Sequence, residues 1–158
     1  MVNTFYRDLE IGREGEAIVL STLSALDTER TYEFVGDNPL YYYIGDIKVT
    51  DKDGNVRYIE VKNDSVIHKT GNVLCEEEVY YKKQDYYGKG NMQSDYDIYA
   101  VVCKEQREIY VIDFRVLKKN YRKGSYKEIE HPQQITYCFL LSIDDIKRLG
   151  GLLAVVSF

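Results

Sequence analysis

The sequence has few of the residues that mark several common classes of protein. Its 158 residues include no tryptophan, two prolines, two histidines and three cysteines. The low proline content, with eleven glycines, 44% hydrophobic and 30% charged residues, argues against a disordered, collagen-like or low-complexity chain. The length suits one compact domain and is too short for two ordinary ones, so we expect a single domain over residues 1–158.

No stretch of the sequence indicates a membrane segment or a secretion signal. The apolar runs are all shorter than the roughly 20 residues that span a bilayer. Residues 1–8 lack the charged-then-apolar pattern of a signal peptide. We therefore expect a cytoplasmic protein with no membrane partner.

The three cysteines predict neither a disulfide framework nor a metal centre. Cys75, Cys103 and Cys138 are odd in number and lie in no CxxC or histidine-spaced pattern. Reduced, buried thiols are the expected state.

Tyrosine and acidic residues are abundant instead. There are sixteen tyrosines against five phenylalanines, which predicts tyrosine-rich strands, because a phenol can pack its ring in a half-buried sheet while its hydroxyl stays in water. The net charge of −5 and the sequence pI of about 5.1 argue at first against a nucleic-acid partner, since such proteins usually carry a basic excess.

The charge is, however, unevenly distributed along the chain. Residues 80–127 contain eleven lysines and arginines against six acids, whereas the remainder contains ten against twenty. Six cations without an acid lie within thirteen residues and are interleaved with tyrosines: Arg115, Lys118, Lys119, Arg122, Lys123 and Lys127. This run suits contacts with nucleic-acid phosphates, and a solvated basic helix is the alternative.

The hydrophobic pattern predicts an α/β domain with a central mixed β-sheet flanked by helices. A first helix over residues 5–26 carries Glu16 on its apolar stripe, where a carboxylate needs a partner, and a structural ion pair is the alternative. Strands are predicted at residues 32–35, 40–50, 56–62, 72–81, 96–103, 108–113, 135–141 and 152–158, loops at 64–71 and 86–94, and helices at 114–121 and 142–150.

The hairpin of residues 40–62 collects the residues that could carry chemistry. With a three-residue loop ending at a left-handed Gly54, Asp46 lies directly opposite Glu60, and Lys62 shares the face of Glu60. Opposed residues have Cβ atoms about 5 Å apart, so two carboxylates there suit a divalent cation. Oxygen donors favour Mg²⁺ or Mn²⁺ over zinc. A surface hairpin with a chance Glu-x-Lys is the alternative.

These residues resemble the PD-(D/E)XK nuclease superfamily, which has the restriction-endonuclease-like fold. The resemblance rests on Gly45-Asp46, thirteen intervening residues, Glu60-Val61-Lys62 and the helical Glu16, and it covers about residues 5–113. It implies that Asp46, Glu60, the carbonyl of Val61 and the accessory Glu16 are metal ligands, and that Lys62 is the catalytic lysine. Gly45 replaces the proline of the family's name.

The function that follows from the resemblance is a Mg²⁺- or Mn²⁺-dependent endonuclease that hydrolyses DNA. The turn at residues 70–72 and the pair Asp95-Tyr96 are similar to small phage-encoded nucleases and Holliday-junction resolvases, so duplex or branched DNA is expected, and duplex cleavage favours a homodimer. Two alternatives stay open: an inactive protein of this fold that binds nucleic acid or a protein partner, and a tyrosine-rich structural domain that binds proteins.

Other motifs are weaker. The segment at residues 88–90 lacks the spacing of a P-loop. His68 and His131 lie in polar segments and are expected to be solvated, although His68 follows the hairpin closely enough to contact a substrate. The acidic run at residues 76–78 is expected at a solvated strand edge, although one of its carboxylates could face inward.

Overall fold

The structure is a computed structural model that describes residues 4–158, with side chains described from residue 6 onward. This part of the chain has four α-helices: α1 (Thr4–Leu26), α2 (Ile67–Thr70), α3 (Phe114–Asn120) and α4 (Ile143–Arg148). Its ten strands are β1 (Thr31–Phe34), β2 (Ile47–Thr50), β3 (Val56–Asn63), β4 (Asn72–Tyr81), β5 (Tyr86–Lys89), β6 (Ile98–Cys103), β7 (Glu108–Asp113), β8 (Ser125–Glu130), β9 (Gln134–Ser142) and β10 (Leu152–Ser157). Short 3-10 helices occupy Pro39–Tyr41, Asn91–Gln93 and Tyr121–Lys123. None of the helices described is long and apolar enough to cross a membrane.

The central sheet has six strands in the order β1-β2-β3-β6-β7-β10. Strands β3 and β6 pair in parallel, and the other neighbours pair antiparallel, so the sheet is mixed. Helix α1 contributes Val19 to the core on one face of this sheet, and α3 contributes Phe114 and Leu117 to the core on the other. The predicted α/β class with a central mixed sheet and flanking helices is confirmed.

A second sheet contains four antiparallel strands in the order β5-β4-β9-β8. The sequence pattern did not indicate that these strands form a sheet of their own. The prediction of a loop at residues 86–94 is wrong, because this segment contains β5. Paired tyrosines favour a strand there: the rings of Tyr80 and Tyr87 are 4.7 Å apart, and Tyr81 stacks on Tyr86 at 6.4 Å. The prediction of tyrosine-rich strands is thereby confirmed.

Two predictions around the hairpin are also wrong. Residues 40–46 were expected to be strand, but a 3-10 helix begins at Pro39, and Asn38 caps it by accepting a hydrogen bond from the Leu40 N–H at 3.0 Å. Proline at the first helical position and an asparagine cap outweigh the aromatic run that follows. The loop predicted at residues 64–71 contains α2, which Asp64 initiates by accepting hydrogen bonds from two backbone N–H groups.

Several elements are confirmed as predicted. Strands β4 and β7 begin and end at the expected residues, and Ser142 caps α4 by accepting a hydrogen bond from the Asp145 N–H at 3.0 Å. Cys75, Cys103 and Cys138 are free thiols and buried.

Helix α1 lies against β1 and β3, with Val19 fully buried at the centre of the contact. Leu20 and Leu23 of the predicted apolar stripe pack against this core, whereas Leu9, near the start of the helix, is 42% exposed. Gly15 approaches β3 so closely that an added Cβ would lie 3.1 Å from the Cβ of Asn63. Glu16, the next residue, therefore lies beside this contact and is partly buried.

The position of the second sheet decides what surrounds the predicted functional residues. In the register of β3 with β6, Glu60 pairs with Tyr99 and Lys62 with Val101. Paired residues on adjacent strands point to the same face. Tyr99 and Val101 belong to the core that also contains Cys75 of β4. Glu60 and Lys62 thus face the side of the central sheet that β4 covers.

Candidate active site

The hairpin of β2 and β3 has the predicted register. Ile47 pairs with Ile59, which places Asp46 opposite Glu60, and the Asp46 N–H donates to the Ile59 carbonyl at 2.8 Å. The Asp51 N–H donates to the Asn55 carbonyl at 3.0 Å to close the turn. Gly54, with φ of +83°, supplies the left-handed residue that the three-residue loop needs.

The backbone conformation at Gly45 requires a glycine. Its φ is +144°, and a Cβ at this position would lie 2.9 Å from the carbonyl oxygen of Ile59. Proline is restricted to φ near −65° and therefore does not fit this backbone. The glycine lets the chain enter β2 so that Asp46 lies against β3.

Asp46 and Glu60 form a partly buried carboxyl pair. The Val61 N–H donates to Asp46 Oδ2 at 2.9 Å, and the carboxyl of Glu60 is hydrogen-bonded to that of Asp46. Burial raises the pKa of Asp46, while the hydrogen bonds from Val61 and Glu60 act in the opposite direction. Burial, and then the charge of Asp46, raises the pKa of Glu60 to about 9. In the metal-free protein, these raised pKa values favour one proton on the Asp46–Glu60 pair over full ionisation of both carboxyls.

Helix α1 brings a third carboxyl to this pair. Burial, followed by the negative charges of Asp46 and Asp37, raises the pKa of Glu16 to about 7, and Arg13 opposes that shift. Arg13 is itself held by Asp37 at 3.0 Å. Glu16 and Asp37 lie together on the wall of a cavity of about 280 Å³. The sequence did not indicate Asp37 as a site residue. It lies in the loop between β1 and the following 3-10 helix, where no strand or helix pattern predicts the direction of a side chain.

Lys62 is fixed beside the carboxyl pair by a residue that the sequence did not single out. Its Nζ donates to Glu76 Oε1 at 3.1 Å, and the two side chains are 37% and 23% exposed. Burial alone lowers the pKa of Lys62, but Glu76, with Asp64 and Glu60, outweighs it, so the pKa lies above its ordinary value. Lys62 is therefore a cation at neutral pH.

The expectation of a solvated edge for residues 76–78 is wrong. Strand β4 is flanked by β5 and β9, so it is not an edge, and a register shift lies between Glu76 and Glu78. The Glu76 N–H donates to Asn91 Oδ1 at 3.0 Å, and Asn91 Nδ2 donates to the Tyr99 hydroxyl at 2.8 Å. A run of three glutamates has no alternation from which the inward one can be chosen, and the bulge has no sequence signature.

Five of the six predicted DNA-binding cations line one or both of two grooves. Lys118, Lys119 and Arg122 line a groove of about 990 Å³ with Tyr87 and Tyr126. A second groove of about 520 Å³ is lined by three members of the run, Arg115, Lys119 and Lys123, and Lys127 lines neither.

Half of these cations are engaged in ion pairs. Lys118 pairs with Asp95 at 3.0 Å, Arg115 with Asp113 at 3.4 Å, and Arg122 with Glu77. Within residues 6–158, Lys119, Lys123 and Lys127 make no ion pair. The helix predicted at residues 114–121 is confirmed as α3, which ends at Asn120. The rest of the basic run lies in a 3-10 helix and in β8, so the alternative of a solvated basic helix does not describe the whole run.

The larger groove and the candidate active site both include residues of β4. Glu77, on its wall, follows Glu76 in β4, and its Oε1 accepts hydrogen bonds from Tyr121 Oη at 2.8 Å and Arg122 Nε at 2.7 Å. Burial by itself raises the pKa of Glu77, but these hydrogen bonds lower it below its usual value. The groove and the Lys62–Glu76 pair thus use consecutive residues of β4.

The remaining histidine predictions have opposite outcomes. His131 lies exposed in the turn between β8 and β9, as expected. His68 lies in α2 with a side chain 22% exposed and its Nδ1 buried, so the expectation that it is solvated is wrong.

Comparison with known proteins shows a likeness of fold. No family model and no curated protein sequence matches this chain. Among solved structures, a bacterial homing endonuclease, I-Ssp6803I, is similar with a TM-score of 0.50 and 16% sequence identity, over 79% of this chain and 74% of that one. At this identity the comparison concerns the fold alone.

Proposed function

We propose that this protein is a divalent-metal-dependent endonuclease of the PD-(D/E)XK type that hydrolyses DNA phosphodiester bonds. The observation that carries the proposal is the opposed pair Asp46 and Glu60 with the fixed cation Lys62 on the same hairpin. The similarity of fold to a homing endonuclease supports the same class of activity. We further propose that residues 1–158 form one nuclease-like domain.

The proposed metal ligands are oxygen donors from three places in the fold. Asp46 and Glu60 would hold Mg²⁺ or Mn²⁺ together with the carbonyl of Val61, and Glu16 would act as the accessory ligand. The negative charge that raises the pKa of Glu60 and Glu16 fits a position for a cation, because like charges placed this close need a positive partner. Such a metal supplies Lewis-acid polarisation of the phosphate and a more acidic bound water.

Lys62 acts electrostatically in this proposal. Its pKa lies above the ordinary value, so it is a poor acceptor for the proton of water. Its ammonium, oriented by Glu76, is suited to offset the charge that develops on the scissile phosphate. Glu76 is a positioning residue, because it acts through Lys62.

DNA would bind along the larger groove, whose wall includes Glu77 of β4. Lys119 and Arg122 on its walls offer phosphate contacts, and Tyr87 and Tyr126 offer ring faces or hydroxyl groups. Cleavage of both strands of a duplex requires two sites, for which a homodimer is the proposed assembly. Duplex and branched DNA are the substrates to compare.

The proposal is tested by incubating the purified protein with plasmid, linear and four-way-junction DNA in the presence of Mg²⁺ or Mn²⁺. We expect cleavage that EDTA abolishes and that Asp46→Asn lowers by at least about 100-fold. Asp53→Asn is the matched control, because Asp53 is exposed in the turn of the same hairpin. Absence of cleavage on all three substrates, or equal cleavage by Asp46→Asn, contradicts the proposal. Retained DNA binding without cleavage by the wild-type protein would support the non-enzymatic alternative.

A further inference from the structure

A second group of metal-ligand residues lies at the carboxyl end of β6, just beyond the position where Val101 pairs with Lys62. His68 is in α2, Cys103 is the last residue of β6, and Glu105 is in the turn that follows β6. One ligand atom from each of the three side chains lies within 4.8 Å of the others. They come from two segments 35 residues apart, so no motif in the sequence joins them.

The fold holds the two segments together without help from these side chains. The Asp64 N–H donates to the Val102 carbonyl at 2.9 Å, and Asp64 then starts α2 by accepting a hydrogen bond from the Ile67 N–H at 3.0 Å. Ile67 is 2% exposed and anchors α2 in the core. His68 is thereby placed beside Cys103 by backbone hydrogen bonds and packing.

The three side chains converge, but the imidazole of His68 has no hydrogen-bond partner on its buried nitrogen in the described part of the chain. His68 Nδ1 is buried and has no hydrogen-bond partner among the residues described, which is costly for a ring nitrogen. It lies 3.8 Å from Glu105 Oε2, beyond hydrogen-bond distance. The fully buried Cys103 thiol donates weakly to the same Glu105 oxygen at 3.9 Å and to Gln106 Oε1 at 3.6 Å, and a metal ion would replace the thiol proton.

The separations of His68 and Cys103 from Glu105 are close to those between ligands of one tetrahedral metal ion, and His68 and Cys103 lie within 4.8 Å of each other. Zinc bonds of ordinary length place sulfur, nitrogen and oxygen ligands about 3.4 to 3.6 Å from one another. Glu105 has a side chain 41% exposed and is free to move the few tenths of an ångström that remain. Solvent at this exposed edge can supply a fourth ligand.

We propose that His68, Cys103 and Glu105 form a second metal site, selective for Zn²⁺ or another borderline-soft divalent ion. A thiolate and an imidazole prefer such ions, whereas the oxygen donors of Asp46 and Glu60 prefer Mg²⁺ or Mn²⁺. The two sites therefore differ in the metal that each selects. The expectation from the sequence that no zinc site exists is revised by this proposal.

The proposed metal site would stabilise the segment that follows β3, the strand that carries Glu60 and Lys62. His68 is six residues beyond Lys62, and Lys104, between the two other ligands, pairs with Glu14 of α1 at 2.7 Å. A metal held here would join α2 to the β6–β7 turn, close to the contact with α1. Its role is structural, since binding a metal in the folded state alone raises stability.

The test uses Co²⁺ as a spectroscopic substitute for zinc, with the reduced, metal-free protein and no DNA. We expect a thiolate-to-cobalt charge-transfer band that saturates at one equivalent of Co²⁺ and disappears when Zn²⁺ displaces the cobalt. We also expect Zn²⁺ to raise the melting temperature. Cys103→Ser should abolish the band. His68→Gln and Glu105→Gln should weaken Zn²⁺ binding by at least about 100-fold, because even loss of an outer-shell partner costs 10- to 100-fold.

Two controls separate this site from metal binding elsewhere in the protein. Cys138→Ser removes a buried thiol far from His68 in the sequence and should keep the band, as should Glu60→Gln, which alters the proposed magnesium site. Glu105→Gln changes an exposed side chain, so we expect this variant to fold, which circular dichroism checks. It therefore still tests the site if Cys103→Ser does not fold. No band with wild-type protein, a band that survives Cys103→Ser, or Zn²⁺ affinity unchanged in Glu105→Gln overturns the proposal. None of these outcomes depends on cleavage of DNA.

Discussion

Lys62 is a partly buried cation whose ammonium lies 3.1 Å from Glu76. Removing it takes a positive charge from beside Asp46 and Glu60 and leaves the carboxylate of Glu76 without its partner. We predict that Lys62→Ala lowers the cleavage rate by about 100- to 1,000-fold, the usual cost of losing one electrostatic contact to a transition state. Single-turnover kinetics at saturating protein measure this rate separately from DNA binding.

Lys52 gives the matched control for this prediction, because it is exposed in the turn of the same hairpin. Lys52→Ala should cleave at the wild-type rate. If both variants lost the same amount of cleavage activity, the effect of Lys62→Ala would reflect the net charge of the protein and not the position of Lys62. Lys62→Arg should recover little activity, since a planar guanidinium does not reproduce a compact ammonium.

The acids Glu16 and Glu60 predict a pH dependence of stability in metal-free buffer. Their pKa values in the folded state, about 7 and about 9, lie above the ordinary glutamate value of 4.5. Between pH 4.5 and these raised values, the folded protein therefore binds more protons than the unfolded chain. This contribution is fully present below about pH 4.5 and is lost as the pH rises through 7 and then 9.

Urea unfolding between pH 5 and pH 9 tests this pH dependence. We predict that Glu60→Gln gains free energy of unfolding relative to wild type as the pH rises, because the amide cannot ionise. Glu29→Gln, at an exposed position, should run parallel to wild type. A constant difference between Glu60→Gln and wild type across this range would contradict the proposed proton on the Asp46–Glu60 pair.

At the scale of secondary-structure elements, the β2–β3 hairpin was predictable because its register is set locally. The turn from Asp51 to Asn55 fixes which residues oppose each other, and counting back from it places Asp46 against Glu60. Two-residue alternation then assigns Glu60 and Lys62 to one face. These are short-range rules, and the structure follows them.

Elements that depend on distant partners were not predictable in the same way. Strand β5 is a strand because it pairs with β4, and Glu76 meets Lys62 because the two sheets meet there. His68 and Cys103 come together through the parallel pairing of β3 with β6. Each of these contacts joins segments that are separate in the sequence, so local patterns carry no information about them.

Gly45 gives a prediction at the entry to β2. A side chain there would be strained at φ of +144° and would lie 2.9 Å from the Ile59 carbonyl. We predict that Gly45→Ala lowers the free energy of unfolding by about 1 to 3 kcal/mol, the usual cost of such backbone strain. It should also impair cleavage, because Asp46 is the next residue. Chemical denaturation measures the first effect.

Gly12 in α1 is the control for this substitution, since a Cβ there meets no atom within 4 Å. Gly12→Ala should stabilise the protein by about 0.5 to 1 kcal/mol, because alanine favours the helix. If Gly45→Ala were also neutral or stabilising, the argument for glycine before Asp46 would fail.

At the scale of the whole molecule, the net charge of −5 is the sum of an acidic part that includes the carboxyl cluster and a basic part that lines grooves. The composition alone pointed away from nucleic acid, whereas the distribution of charge along the chain did not. What the sequence could not supply is the division of the basic run between two grooves, which the fold of residues 114–130 decides.

The groove predicts a salt-dependent contribution to DNA binding. Lys119 lines both grooves and makes no ion pair with residues 6–158, so its ammonium is available for a phosphate. We predict that Lys119→Ala weakens binding to every DNA sequence and reduces the slope of log affinity against log salt by about one unit. Fluorescence anisotropy with a labelled duplex at several salt concentrations measures both quantities.

Lys127 is the control for the groove, because it belongs to the same basic run but lines neither groove. Lys127→Ala should change the affinity and the salt slope less than Lys119→Ala does. Equal effects would indicate that the charge of the whole segment, and not the groove, attracts DNA.

The central claim, that Asp46 and Glu60 form the metal site of a nuclease, is tested most directly by diffraction from crystals soaked in Mn²⁺. We predict an anomalous peak between the two carboxylates in the wild-type protein and none there in Glu60→Gln. A peak beside His68 in the same crystals would concern the second site and leave this result unchanged. No peak between Asp46 and Glu60 at saturating Mn²⁺ would contradict the claim.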